Sequence, residues 1–163
     1  MTKAKTAAAG SEQIDQAIFD LSNRLYFRLY QASNLLHKNG TRFMSAFGTT
    51  TQQWAVLGAL ARPRSHQRGM TVKELLEFLS VSRQNLTPVI DRLEARGWVE
   101  RVKDPDDGRS RRIRLTPLGD ATWDRMLVRI DEFYNRSLAG FSMEEKLALY
   151  RLLDRLKLGL EEV

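Results

Sequence analysis

Residues 82–116, SRQNLTPVIDRLEARGWVERVKDPDDGRSRRIRLT, constrain the fold more than any other stretch of this chain. They predict a short amphipathic helix that runs directly into a β-hairpin. Ser82 is a residue type that caps helices, because its side-chain oxygen accepts a free backbone N–H of the first turn. Leu86, Val89, Ile90 and Leu93 then recur at i, i+3, i+4 and i+7, the spacing of one inward helix face. Gly97 stops the helix, since glycine takes a positive φ without steric cost. A strand over Trp98 to Lys103 follows at once. Asp106-Asp107-Gly108 supplies turn chemistry, and Arg111 to Leu115 forms the return strand.

With the apolar stripe inward, a turn of about 100° per residue places Gln84, Thr87, Pro88 and Asp91 outward, flanked by Asn85 and Arg92. Amides pair in bidentate fashion with adenine in the major groove, and arginine with guanine. An ordinary solvated helix face has the same composition, so the helix alone decides nothing. The hairpin shifts the balance, because it carries arginines at its tip. Helix followed by such a hairpin is the second half of a winged helix-turn-helix. Thr71-x-x-Glu74 is a capping box that opens the first helix of the pair, down to Leu79.

Pro88 is awkward. Counted from Ser82 it lies beyond the first turn, where it removes a hydrogen bond and crowds the carbonyl of Gln84, at a cost of about 3 kcal/mol in a straight helix. Either the helix bends there or regular hydrogen bonding starts later than Ser82. The ring lies on the outward side, within reach of a thymine methyl.

This stretch resembles the MarR family of bacterial winged-helix regulators. The family's wing signature, D-x-R followed by L-T-x-x-G, stands here as Asp107-Gly108-Arg109 and Leu115-Thr116-Pro117-Leu118-Gly119. Before it comes the L-x-x-x-G-(aromatic or Leu)-V-x-R junction, here Leu93, Gly97, Trp98, Val99 and Arg101. Asp106 stands where the family often has arginine, so this tip is less basic than the pattern. The resemblance covers roughly residues 12–162, most strongly 71–119. It implies a two-fold dimer knit by the terminal helices, with Asp107 holding the Arg109 guanidinium. The residues expected at DNA are Ser82, Arg83, Gln84, Asn85, Thr87, Pro88 and Arg92 on the helix, and Asp107, Arg109, Arg111 and Arg112 on the wing. Ile113 and Leu115 share one strand face and should pack inward, so Arg112 and Arg114 should point the other way.

Charge agrees with a nucleic-acid partner. The net charge is +6. Residues 62–114 hold 13 of the 26 basic and 8 of the 20 acidic residues, a net +5. The excess therefore lies where a phosphate-facing footprint is needed. A membrane surface also attracts cations, but through a basic amphipathic helix, and here they lie on a wing and loops. There is no cysteine, which excludes disulfides and thiol redox sensing. The first ten residues, MTKAKTAAAG, have no apolar run, so they do not read as a signal peptide. No stretch approaches about 20 apolar residues, so no membrane span is expected and a cytoplasmic protein follows. A chain of 163 residues buries about 70% of its unfolded surface and needs no metal to hold a core.

The remaining elements follow in order. Residues 1–10 are small and polar and are expected to be disordered. Ser11 can cap a long helix whose stripe of Ile14, Ile18, Leu21, Leu25, Leu29, Ala32 and Leu36 runs to about His37. Asn39-Gly40 should end it, with a loop over 41–50. A helix from about Thr51 to Ala61 buries Trp54, Leu57 and Leu60, and Arg62-Pro63 breaks it into a loop reaching Met70. Thr116-Pro117 pairs an N-cap with proline at the first helical position, opening a helix to about Ala139. Ser142-x-x-Glu145 is a capping box for a last helix carrying Leu149, Leu152, Leu153, Leu156 and Leu160. The expected fold is mainly α with a small β-hairpin wing. A disordered tail (1–10) precedes an N-terminal dimerisation helix and loop (11–50), a winged helix-turn-helix (51–116) and C-terminal dimerisation helices (117–163).

Catalytic chemistry finds little support. His37 and His66 lie on opposite sides of a helix, with no cysteine to join them as metal ligands. Asp104, Asp106 and Asp107 miss the calcium-loop spacing by one, and Leu115 stands where its closing glutamate belongs. No Gly-rich phosphate loop or nucleophile elbow is present. Neither enzyme activity nor a metal or cofactor is expected.

The resemblance implies a site for small aromatic or phenolic acids, or their coenzyme A thioesters, between the dimer helices and the winged domain. Tyr26, Tyr30, His37, Arg42, Phe43, Phe47 and Trp54 are its candidate lining, with Arg42 suited to a carboxylate. The chain thus reads as a homodimeric, ligand-responsive regulator, most often a repressor, on a pseudo-palindromic double-stranded DNA operator. Two alternatives stay open: a constitutive DNA binder without ligand, and a winged-helix protein-interaction module.

Overall fold

A computed structural model describes residues 13–163 with their side chains, and the first helix, α1, is bounded Thr2–Phe43. The expected tail over 1–10 and the Ser11 cap lie outside the described residues. The chain forms two compact units, Met1–Gln52 and Gln53–Val163.

In the first unit, α1 does not end at Asn39-Gly40. The Met44 N–H donates to the Gly40 carbonyl at 3.0 Å, an ordinary helical bond, and the helix continues to Phe43. Glycine ends a helix only when it adopts the left-handed conformation, and Gly40 does not. Gly48 does, at φ 58°, just after a 3-10 turn over Ser45–Phe47. The expected loop over 41–50 is therefore partly helix. Thr51 is tied back to α1 twice. Its hydroxyl lies 2.7 Å from His37 Nδ1, and its N–H donates to Thr41 Oγ1 at 3.3 Å.

The second unit is built from α2 (Thr51–Leu60, whose first two residues belong to the first unit), α3 (Pro63–His66), α4 (Val72–Leu79), α5 (Arg83–Ala95), α6 (Pro117–Ser137) and α7 (Met143–Glu161). Strands β1 (Met70–Thr71), β2 (Val99–Lys103) and β3 (Arg111–Leu115) form an antiparallel sheet in the order β1-β3-β2. β1 pairs Met70 with Ile113 and Thr71 with Arg112. A two-residue strand is too short to show alternation, so the sequence pattern missed it. The loop after Arg62 also contains α3, started by Pro63 at its first position, where a missing N–H costs nothing.

The core of this unit is Leu57, Leu60, Leu75, Leu86, Ile90, Leu93, Val99, Ile113, Met126 and Ile130, all buried. Thr71 and Glu74 cap α4 as the spacing predicts, and Ser142 and Glu145 cap α7. α4 turns into α5 through Ser80, which takes a left-handed φ of 51°. At the far end of α5, the Gly97 N–H bonds Glu94 O and the Trp98 N–H bonds Leu93 O, with Gly97 at φ 67°. These two bonds are a Schellman cap, and they turn the chain straight into β2.

The L-T-x-x-G signature has a physical cause here. Thr116 Oγ1 accepts from the Gly119 N–H and donates to Gly97 O at 2.6 Å, while the Thr116 N–H donates to Trp98 O. The start of α6 is thus clamped onto the junction between α5 and β2. The fit leaves no space at Gly119, where a Cβ would sit 1.9 Å from the Trp98 carbonyl oxygen.

Large apolar side chains remain uncovered on α1 and α7. Ile14, Ile18, Leu21, Leu25, Phe27 and Tyr30 are each more than half exposed, and α7 buries none of its residues. Among the described residues no helix is long and apolar enough to cross a membrane.

Substituting Gly119 tests the clamp. Gly119→Ala should destabilise the fold by about 2–3 kcal/mol through forced backbone displacement, read as a lower urea midpoint. Gly140→Ala, where a Cβ meets nothing within 4 Å, should leave that midpoint nearly unchanged.

Candidate nucleic-acid interface

α5 is positioned by its buried stripe, Leu86, Val89, Ile90 and Leu93. The opposite side carries Arg83, Gln84, Asn85, Thr87, Pro88 and Arg92, all exposed. Ser82 is the N-cap, its Oγ accepting from the Asn85 N–H at 3.3 Å, and the Leu86 N–H already bonds Ser82 O. Regular hydrogen bonding therefore starts at Ser82, and α5 passes through Pro88 as one helix. Thr87 Oγ1 donates back to Arg83 O at 3.0 Å, so its hydroxyl is engaged on its own helix. Asp91 and Glu94 are both held by Arg101 from β2. That pairing offsets the two carboxylates of α5 that would otherwise repel phosphate. The Arg96 guanidinium stacks 3.6 Å over the Trp98 ring.

The wing is a hairpin of β2 and β3 in register from Val99↔Leu115 to Lys103↔Arg111. Its connection, residues 104–110, is built on aspartates rather than on a glycine turn. Asp104 Oδ1 accepts from the Asp106 N–H and Asp107 Oδ1 from the Arg109 N–H, both at 3.0 Å. Such side-chain turns need no positive φ, and Gly108 has none. Asp107 thus holds the backbone of Arg109, not its guanidinium, which corrects the contact expected from the family pattern. Arg109 and Arg111 are exposed, and neither guanidinium has an ion-pair partner among the described residues.

Arg112 is the main correction. It was expected at DNA, and it is 4% exposed. Its Nη1 donates to Asp104 Oδ2 at 2.7 Å and its Nη2 to Glu74 Oε2 at 2.8 Å and to Gly69 O at 3.1 Å. Its Nε donates to Arg68 O at 3.1 Å. Strand alternation turned the side chain away from Ile113 as expected, but β1 and α4 cover that face. Arg114, also on β3, stays at the surface and pairs with Glu100 at 2.8 Å. Arg68 adds an ion pair to Asp106. Neither Arg68 nor the second role of Glu74 left a local signal in the sequence, because both depend on β1 lying beside β3.

Protonation follows from these contacts. The Asp106 N–H, and after it Arg112, hold the Asp104 carboxyl below the ordinary carboxylate range. Burial pushes Glu74 upward, but the Thr71 N–H and the Arg112 guanidinium outweigh it and the net direction is down.

The seven residues expected around a ligand are spread over both units. Tyr26 and Tyr30 meet Asn23 and Phe27 in an open groove on α1. His37 is engaged with Thr51. Arg42 is exposed near the end of α1, and Phe43 and Phe47 are half-buried. Trp54 belongs to the second unit, edge-on to Phe133 at 5.8 Å and beside Tyr134 at 5.7 Å. Phe133 and Tyr134 on α6 were not anticipated as its partners. His66 Nε2 lies 2.7 Å from Asp120 Oδ1. No group of three His, Cys, Asp or Glu among the described residues is placed to hold a metal ion.

Known proteins match this arrangement. A family model described as the MarR family matches residues 47–110. The transcriptional activatory protein BadR of Rhodopseudomonas palustris is 46% identical over 146 residues, covering 86% of this chain and 83% of that protein. The homoprotocatechuate degradative operon repressor of Escherichia coli is 33% identical over 105 residues, covering 64% of this chain and 68% of that protein. The crystal structure of a probable transcriptional regulator from Pseudomonas aeruginosa superposes with a TM-score of 0.72 at 29% identity, covering 83% of this chain and 98% of that one.

The lowered carboxylates set a pH dependence. A carboxyl whose folded value lies below its unfolded value adds stability above the unfolded value, which is lost as pH falls towards the folded one. Stability should therefore hold from neutral pH down to about pH 5 and fall below about pH 4, the ordinary carboxylate range. Asp104→Asn should make the acid limb shallower in urea titrations at stepped pH, with lower stability at neutral pH.

Proposed function

We propose, for a chain that belongs to the MarR family of transcriptional regulators, that it binds a pseudo-palindromic operator as a homodimer and is released by a small aromatic acid or its coenzyme A thioester. The chain is a regulator, not an enzyme. The observation that carries the DNA reading is one helix, α5. Its apolar stripe is buried, its amides and arginines are outward, and an adjacent wing carries Arg109 and Arg111, which have no ion-pair partners among the described residues.

In this reading α5 enters the major groove, with Gln84 and Asn85 at base edges. Arg109 and Arg111 reach the backbone or the flanking minor groove. The exposed apolar faces of α1 and α7 support the homodimer, since uncovered surface of that extent marks an interaction site. Two-fold symmetry then sets the two α5 helices about 34–36 Å apart, one turn of DNA. The aromatic side chains Tyr26, Tyr30, Phe43, Phe47 and Trp54, with Arg42 and His37, support an aromatic carboxylate as effector, as does similarity to a protein named for homoprotocatechuate degradation. A ligand that binds better to a state with wrongly spaced α5 helices empties the operator.

Repression is the simpler mode, because a dimer on a promoter blocks polymerase by occupancy alone. Activation is the second reading, favoured by the activatory name of the 46% identical relative. A reporter fused to the upstream region separates them: loss of the regulator raises expression under repression and lowers it under activation.

DNA readout is tested by fluorescence anisotropy on the upstream fragment and on random DNA. Gln84→Ala and Asn85→Ala should each cost about 1–3 kcal/mol on the operator and little on random DNA. Equal losses on both would show that neither amide reads sequence, and no shift of any upstream fragment would favour the protein-interaction module. Sedimentation at micromolar concentration should give a dimer, and a monomer that still binds tightly would sink the two-fold arrangement. Aromatic acids and thioesters are then titrated into the complex. Dissociation by at least one at sub-millimolar concentration is expected, and none would leave the constitutive binder.

A further inference from the structure

We propose that Arg112 is a positioning residue: by joining Asp104 at the foot of the wing loop to Glu74 at the start of α4, it sets where the loop carries Arg109. The consequence for binding rests on the reading above, that Arg109 meets DNA.

The loop has little else to hold it. Residues 105–109 are all exposed, so no packing fixes them. Hydrogen bonds inside the loop shape it but do not orient it against the domain. Two cations outside it do. Arg68 holds Asp106, in a pair whose side chains are 56% and 71% exposed. Such a pair is screened and contributes little. Arg112 holds Asp104 in a pair whose side chains are 5% and 7% exposed, where water does not compete. The guanidinium is planar and its donors are fixed in direction. Carbonyls of Arg68 and Gly69, a carboxylate of α4 and a carboxylate of the loop therefore lock together in one geometry.

Stability alone is a poor reason for this arrangement. Apolar residues of similar volume commonly hold such a site as well as a buried ion pair does, because the pair must first lose its hydration. What apolar packing lacks is direction. The Arg112 pair fixes the foot of the wing relative to α4, and through α4 relative to α5.

The test combines amide hydrogen exchange on the free protein with a double-mutant cycle on operator DNA. Arg112→Met should speed exchange of the loop amides, residues 106–110, while those of α5 and α6 keep their protection. It should weaken operator binding about as much as Arg109→Ala, roughly tenfold each. The double variant should bind no worse than Arg109→Ala alone, because the two act through one contact. Paired instead with Gln84→Ala, Arg112→Met should give multiplied losses. If Arg112→Met does not fold, Asp104→Asn carries the same cycle, since it keeps the shape and leaves Arg112 its contacts to Glu74 and the carbonyls. Unchanged loop exchange, or multiplied losses with Arg109→Ala, overturns the positioning role. Full binding by Arg109→Ala overturns the wing contact instead, and loop exchange then decides the positioning role by itself.

Discussion

The second unit depends on β3 being the middle strand. Both of its edges are paired, to β1 on one side and to β2 on the other. Ile113 and Leu115 enter the core from one face, and Arg112 enters a polar pocket on the other. A strand held in this way delivers its two ends in fixed places. One end leads into the wing loop. The other delivers Thr116, which locks the start of α6 to the Gly97-Trp98 junction behind α5. α5 and the wing beside it are thus set by a single strand of five residues.

Charge is arranged in two layers around that strand. The inner layer is paired: Arg112 with Asp104 and Glu74, Arg101 with Asp91 and Glu94, Arg114 with Glu100. The outer layer, Arg83, Arg92, Arg109 and Arg111, has no ion pairs among the described residues. An anion meeting the outer layer breaks no existing ion pair, whereas recruiting a paired arginine first breaks its contacts. The net positive charge of residues 62–114 is accordingly a poor guide to which arginines act. Three of the arginines there, Arg101, Arg112 and Arg114, are engaged in the fold's own ion pairs.

Much was legible beforehand for local reasons. The stripe of α5, the Ser82 cap, the Gly97 stop, both capping boxes and the two long strands each depend on residues within a few positions of one another. Short-range sterics and hydrogen bonding decide such features. The outward set Arg83, Gln84, Asn85, Thr87, Pro88 and Arg92 followed from helical periodicity alone, and the structure leaves all six exposed. The Asp-Gly pattern is less decisive. The aspartates do build it, but through their side chains, and the glycine takes no positive φ.

The amino-acid sequence by itself determined the order of the elements after Met70, the buried face of α5 and the excess of positive charge around the wing, because each is a property of neighbouring residues. Tertiary structure alone decided the fate of Arg112. Alternation states only that its side chain opposes that of Ile113. Whether that side is solvent or interior depends on β1 and α4, which lie about 40 residues earlier in the chain. The same holds for Gly40, whose residue type permits a stop while its hydrogen bond continues the helix, and for Gly119, whose lack of a side chain matters only because Trp98 is folded against it. Local pattern fixes what a residue is able to do, and long-range packing decides which of those options it takes, because burial belongs to the whole fold rather than to any segment of it.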